Sequence, residues 1–172
     1  MRKVVLLLLV LLVGCATVPL KTYEETVSGW TSYKDVEKWM RDNFTYDQGR
    51  LRELVRQNGG SIRSAPVTFK LKSGVCWDGA RFVKEALDKI NPAYESRIVW
   101  LDNGRDVSHY VCSFKIEGRL YVMDYSTVHT DMMGLFGPFD SLKEYQKFYA
   151  SHHHGNISAS YVEIVGDRVR RP

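Results

Sequence analysis

Three side chains in this sequence have the types and the order of a thiol-based acyl-transfer site: Cys76, His109 and Asp124. A cysteine attacks a carbonyl as its thiolate, and the unpaired N–H groups and dipole at a helix N-terminus favour that anion. Cys76 falls at such a position. Gly79, Phe82, Val83, Ala86, Leu87 and Ile90 follow it at helical spacing, and Asn91-Pro92 ends the run. A base must take the thiol proton, and a third group must hold that base in the right tautomer and orientation. His109 and Asp124 lie on two strand-like runs, 109–116 and 119–126, that meet at Glu117-Gly118. With those two residues at the centre of a tight turn, Ile116 faces Arg119, Val111 faces Asp124 and His109 faces Ser126. His109 and Asp124 are then diagonal neighbours on one face, roughly 7–8 Å apart at the backbone, a gap that an imidazole and a carboxylate close with a hydrogen bond.

The other reactive side chains are weaker candidates. The opposite face of the same hairpin carries Tyr110, Cys112, Phe114, Ile116, Tyr121, Met123 and Tyr125, which makes it the core side and Cys112 a structural thiol. A Cys76–Cys112 disulfide stays open as an alternative, opposed by that facing. Asp78 reads as a first-turn carboxylate favoured by the helix dipole, since a catalytic anion there would oppose a thiolate. Trp77 either shapes an acyl-binding slot or packs on a loop. The run His152-His153-His154 has no Cys or acidic partner at ligand spacing, and His129 with Asp131 has no nearby nucleophile; no metal or cofactor is expected. The backbone N–H of Cys76 is one donor for a tetrahedral oxyanion, and the second donor is not legible.

The elements that must position this site follow from the apolar pattern. Ser32-Tyr33-Lys34-Asp35 opens a helix with Val36, Trp39, Met40 and Phe44 at helical spacing, read as packing. Leu51, Leu54 and Val55 mark a short helix closed by Asn58-Gly59-Gly60, and the segment up to Ser73, with Pro66, reads as a loop. A strand over 97–101 joins the hairpin in an antiparallel sheet. Asp140-Ser141 caps a helix bearing Leu142, Tyr145, Phe148 and Tyr149, and 161–165 reads as a last strand. No internal repeat is present, and 172 residues suit one core.

The N-terminus is of another kind. Arg2 and Lys3 precede an apolar run over 4–13 that is short for a membrane span and has the build of a cleavable signal. Leu12-Val13-Gly14-Cys15 resembles the lipobox of bacterial lipoproteins, which implies cleavage after residue 14 and lipid on Cys15. The expected organisation is a signal peptide over 1–14, a lipidated tether over 15–29 and a catalytic domain over 30–172. With Ala16 and Thr17 after the cysteine, the resemblance implies the periplasmic face of the outer membrane where the cell envelope has two membranes. Without residues 1–14 the chain keeps 22 Lys+Arg against 20 Asp+Glu, with the signs interspersed. Such a balance gives no basic field for nucleic acid.

Gly74-Val75-Cys76-Trp77-Asp78-Gly79-Ala80, then His109-Tyr110-Val111, then Tyr121-Val122-Met123-Asp124 resemble the blocks of the transglutaminase-like family, in the family's order of Cys, His, Asp. The likeness extends over residues 30 to 130 and takes in Trp39 and Phe44-Thr45-Tyr46. It implies an α+β, papain-like fold with the catalytic helix packed on an antiparallel β-sheet. It also implies a cysteine enzyme that acts on amide or peptide bonds of a peptide or protein substrate through a thioester, with hydrolysis preferred over transfer. One departure stands out. Ser64-Ala65-Pro66-Val67 occupies the region where short members carry a Gln or Trp before a Pro-Glu pair, which leaves the oxyanion side chain unassigned. Two other readings compete: an inactive domain that binds a peptide or protein partner, and a peptidoglycan endopeptidase with a Cys-His-His site. The Asp-Cys-Ser-Gly signature of the latter is absent.

Overall fold

The structure is a computed structural model, and it describes residues 21–105, 108–153 and 156–170. In chain order it contains α1 (Tyr23–Val27), α2 (Tyr33–Asn43), β1 (Thr45–Tyr46), α3 (Gln48–Arg56), α4 (Ala65–Leu71), β2 (Ser73–Gly74) and α5 (Cys76–Ile90). There follow β3 (Arg97–Asp102), β4 (Ser108–Ile116), β5 (Arg119–Asp124), β6 (Gly134–Phe139), α6 (Leu142–His152), β7 (Ser158–Val165) and β8 (Arg168–Arg170). Six strands form one sheet in the order β6-β5-β4-β3-β7-β8, with every neighbouring pair antiparallel. The α+β fold, a long helix on an antiparallel sheet, is the one expected from the sequence. No helix among the described residues is long and apolar enough to cross a membrane.

The β4–β5 hairpin has the register that its turn dictates. Ile116 pairs with Arg119, Phe114 with Tyr121 and Cys112 with Met123, and Glu117 takes the left-handed backbone that such a turn needs, at φ 51°. Because side chains alternate along a strand, the hairpin presents two apolar faces. On one, Cys112, Phe114 and Met123 meet Phe82, Val83, Ala86 and Leu87 of α5, with Val36 and Met40 of α2 closing the same cluster. On the other, Val111, Leu120 and Val122 meet Tyr145 and Tyr149 of α6. The sheet is therefore buried on both sides of its centre.

Two expectations about the elements fail. The tether expected over 15–29 does not extend to Tyr23–Val27, which is a helix with Thr22 as its cap and with Tyr23 and Val27 buried in the core. Its cap is a reciprocal pair in which Glu25 N–H donates to Thr22 and Thr22 N–H donates to Glu25. The signal peptide over 1–14 and the lipid site at Cys15 lie outside the described residues. The loop expected between Gly60 and Ser73 contains α4, with Pro66 in its first turn, where a missing N–H costs no helical hydrogen bond.

Candidate active site

Cys76 is the first residue of α5 and is 9% exposed. The segment before it is fastened by Asp78, which is fully buried. One carboxylate oxygen accepts from Val75 N–H at 3.0 Å and Arg50 Nε at 2.7 Å, and the other accepts from Arg63 N–H at 2.8 Å. Arg50 also donates to the Ser61 carbonyl at 2.6 Å. Asp78 thus ties α3, the 61–63 segment and the start of α5 together, a larger role than the first-turn carboxylate that the sequence suggested. A buried carboxylate is tolerated because it is both paired and fully hydrogen-bonded. Gly74 is required here, since a Cβ on it would lie 2.6 Å from the Cβ of Asp78.

His109 and Asp124 meet as the register predicts, with Nε2 2.6 Å from Oδ2. Burial disfavours a charge on His109, but the Asp124 carboxylate, together with Cys76, outweighs it and raises the imidazole from 6.5 to about 10. With Nε2 committed to Asp124, Nδ1 is the nitrogen left for the hydrogen bond between His109 and Cys76. Helix α5 rests on the Cys112 face of the hairpin and not on the face of His109 and Asp124. Cys76 therefore meets His109 around the end of the strands. Ser126, just past β5, secures that meeting: its N–H donates to Asp124 Oδ1 at 3.1 Å and its hydroxyl to the Cys76 carbonyl at 3.3 Å. From the α6 side, the ring of Tyr149 stacks on His109 with centroids 6.2 Å apart.

Tyr46 joins these residues, and sequence reasoning gave it no role. The parallel pair β1–β2 sets Tyr46 beside Gly74, with Asp47 N–H donating to the Gly74 carbonyl at 2.9 Å, and Tyr46 packs on the apolar cluster that contains Cys76. Burial, then the proximity of Cys76 and Asp124, pushes its phenol well above the usual range, so it stays a hydrogen-bond donor. The signal was present in Phe44-Thr45-Tyr46, but a two-residue strand has no periodicity to reveal it. Trp77 lines two adjoining cavities, one of which also takes in Cys76, and faces Tyr110 with ring centroids 6.1 Å apart.

The weaker candidates fall elsewhere. Cys112 is a free, buried thiol, as is Cys76, and burial pushes the Cys112 thiol far up. His152 is tied to the Phe148 carbonyl at 2.9 Å, while His153 stacks on Tyr149 at 4.2 Å and meets His129 edge-on at 5.4 Å. His154 lies outside the described residues.

The profile of the transglutaminase-like domain matches residues 16–150, and the chain belongs to that family. No curated protein matches the chain. Among solved structures, one described as the crystal structure of a TGase aligns at 14% identity and a TM-score of 0.45, over 72% of this chain and 31% of that one. The chain thus spans about a third of that larger protein.

Proposed function

We propose that this member of the family is a cysteine hydrolase of amide or peptide bonds, with Cys76 as nucleophile, His109 as base and Asp124 as orienter. The observation that carries the reading is the largely buried 2.6 Å contact of His109 with Asp124, whose side chains are 12% and 2% exposed, with the other ring nitrogen left for a cysteine at a helix start. The thiol proton of Cys76 already rests on His109 Nδ1, and the thiolate Sγ attacks the carbonyl carbon. The oxyanion forms between the backbone N–H of Cys76, one of the unpaired donors of the first turn, and the hydroxyl of Tyr46. Collapse breaks the C–N bond, and His109 returns its proton to the leaving amine. Water then attacks the thioester, giving one proton to His109, and the thiolate departs to restore Cys76. An amine in place of that water would give transfer, and hydrolysis is the outcome proposed.

We also propose that the protein works in the bacterial cell envelope, held to the membrane by lipid on Cys15, with a peptide or protein as its substrate. The experiment is alkylation of Cys76 by iodoacetamide as a function of pH, with the label located by peptide mapping. Buried Cys112 serves as an internal reference. Wild-type protein should label quickly already near pH 6 and lose that rate in His109→Ala and Asp124→Ala. Slow labelling that rises only toward about pH 8.5, identical in all three proteins, would favour the inactive binding domain.

A further inference from the structure

The nucleophile opens on a cleft whose lining has a chemical character of its own. A cavity of about 480 Å³ adjoins Cys76, lined by Leu51, Leu54 and Val55 of α3 and by Trp77 and Tyr110. Every described residue that lines it is uncharged. Leu51 and Val55 stand one helical turn apart and are 38% and 72% exposed, although most large aliphatic side chains of this fold are buried. An apolar ridge left in water beside a reactive thiol is the pattern of a subsite that a substrate side chain completes.

Past Trp77 and Tyr110 the cleft continues into a second cavity of about 690 Å³, with Asp167 and Arg168 on its wall and Asn58 and Gly59 shared with the first. The walls of this second chamber are joined, because Ile62 N–H donates to the Asp167 carbonyl at 2.8 Å. Two adjoining chambers suit an extended peptide better than a single free amide. Among the described lining residues, charged ones occur only in the second chamber.

We infer that the acyl donor is a peptide whose residue at the scissile carbonyl carries an uncharged aliphatic or aromatic side chain, seated against Leu51 and Val55. The inference rests on the cysteine-hydrolase reading and narrows it to a substrate class. A charged side chain in that position would lose water without gaining a partner.

The test uses acetyl-dipeptide acyloxymethyl ketones that differ only in the residue bearing the ketone: Leu, Phe, Gly, Asp or Lys. Cys76 sulfur bonds to the methylene carbon as the C–O bond to the carboxylate leaving group breaks, so the rate of inactivation reports side-chain preference. Leu and Phe probes should react about tenfold or more faster than Asp and Lys probes, and the Leu-to-Gly ratio should fall toward one in Val55→Asp and Leu51→Asp. Both positions are partly or largely exposed, so these variants should fold. Equal rates for charged and apolar probes would overturn the substrate class. So would a Leu-to-Gly ratio that survives both substitutions, which would leave the ridge without a part in side-chain choice. If no peptide probe reacts but iodoacetamide labelling still depends on His109, the substrate class fails alone. If labelling is independent of His109, the hydrolase reading fails and the substrate class with it.

Discussion

A hydroxyl that donates to an oxyanion shows itself in turnover more than in binding, because the charge it stabilises exists only in the transition state. Tyr46→Phe keeps the ring that packs beside Cys76 and removes only the donor. It should lower kcat by about 10²-fold with KM little changed, measured on any peptide substrate the wild type cleaves. A drop in affinity alone would make Tyr46 a wall of the cleft. His109 gives a second prediction, through stability. Its pKa rises from 6.5 in the unfolded chain to about 10 in the folded protein, so the folded state binds the proton more tightly. The stabilisation this provides is complete below about pH 6.5 and disappears as pH climbs through about 10. The melting temperature of wild type should therefore exceed that of His109→Gln most at pH 6, and the gap should close by pH 10. A gap that widens over the same range would mean that the folded protein holds the imidazole neutral.

The elements that carry Cys76, His109 and Asp124 were legible in the sequence because each has a strong local signature. Helix α5 is long and periodic, and the two-residue turn at Glu117-Gly118 fixes a register that brings His109 to Asp124. Tyr46 and Arg50 were not legible, since one sits on a strand of two residues and the other finds Asp78 across 28 positions. Neither feature has a period or a spacing rule. Helix α4 hid behind Pro66, which reads as a breaker unless its place in the first turn is known. The packing of α5 against Ser126 was equally hidden, and it gives a prediction whose sign separates local from tertiary effects. Ala is favoured over Gly by about 1 kcal/mol inside a helix, so propensity alone says that Gly79→Ala stabilises. A Cβ at Gly79, however, would lie 2.5 Å from the Ser126 Cβ and 2.6 Å from its hydroxyl oxygen. Ser126 must shift, and with it the N–H that holds Asp124. We expect Gly79→Ala to lose about 1–3 kcal/mol by urea unfolding and to slow the labelling of Cys76. A gain in stability with unchanged labelling would show that α5 and Ser126 are not in tight register.

At the scale of the whole molecule, the question is where the cooperative unit begins. The sequence between Ala16 and Gly29 has no periodicity, since a five-residue helix offers only Tyr23 and Val27, one turn apart, as apolar contacts. Both are almost fully buried, and the Tyr23 ring meets Phe82 and Phe69 edge-on at 5.8 and 5.9 Å with Lys89 Nζ 4.5 Å above it. Phe82 belongs to α5, so the first helix braces the element that presents Cys76. Removing a large buried side chain costs about 3–5 kcal/mol, against a total stability of about 5–15 kcal/mol for a domain. A chain beginning at Trp30 should therefore be at least about 4 kcal/mol less stable in urea than one beginning at Lys21. It should also lose the steepness of its transition, because α4 and α5 would each expose an apolar face where α1 had packed. Equal stability of the two chains would return residues 21–29 to the tether and leave the core to begin at Trp30. A loss of the expected size would instead make residues 21–29 part of the folded unit, with the core beginning at Tyr23.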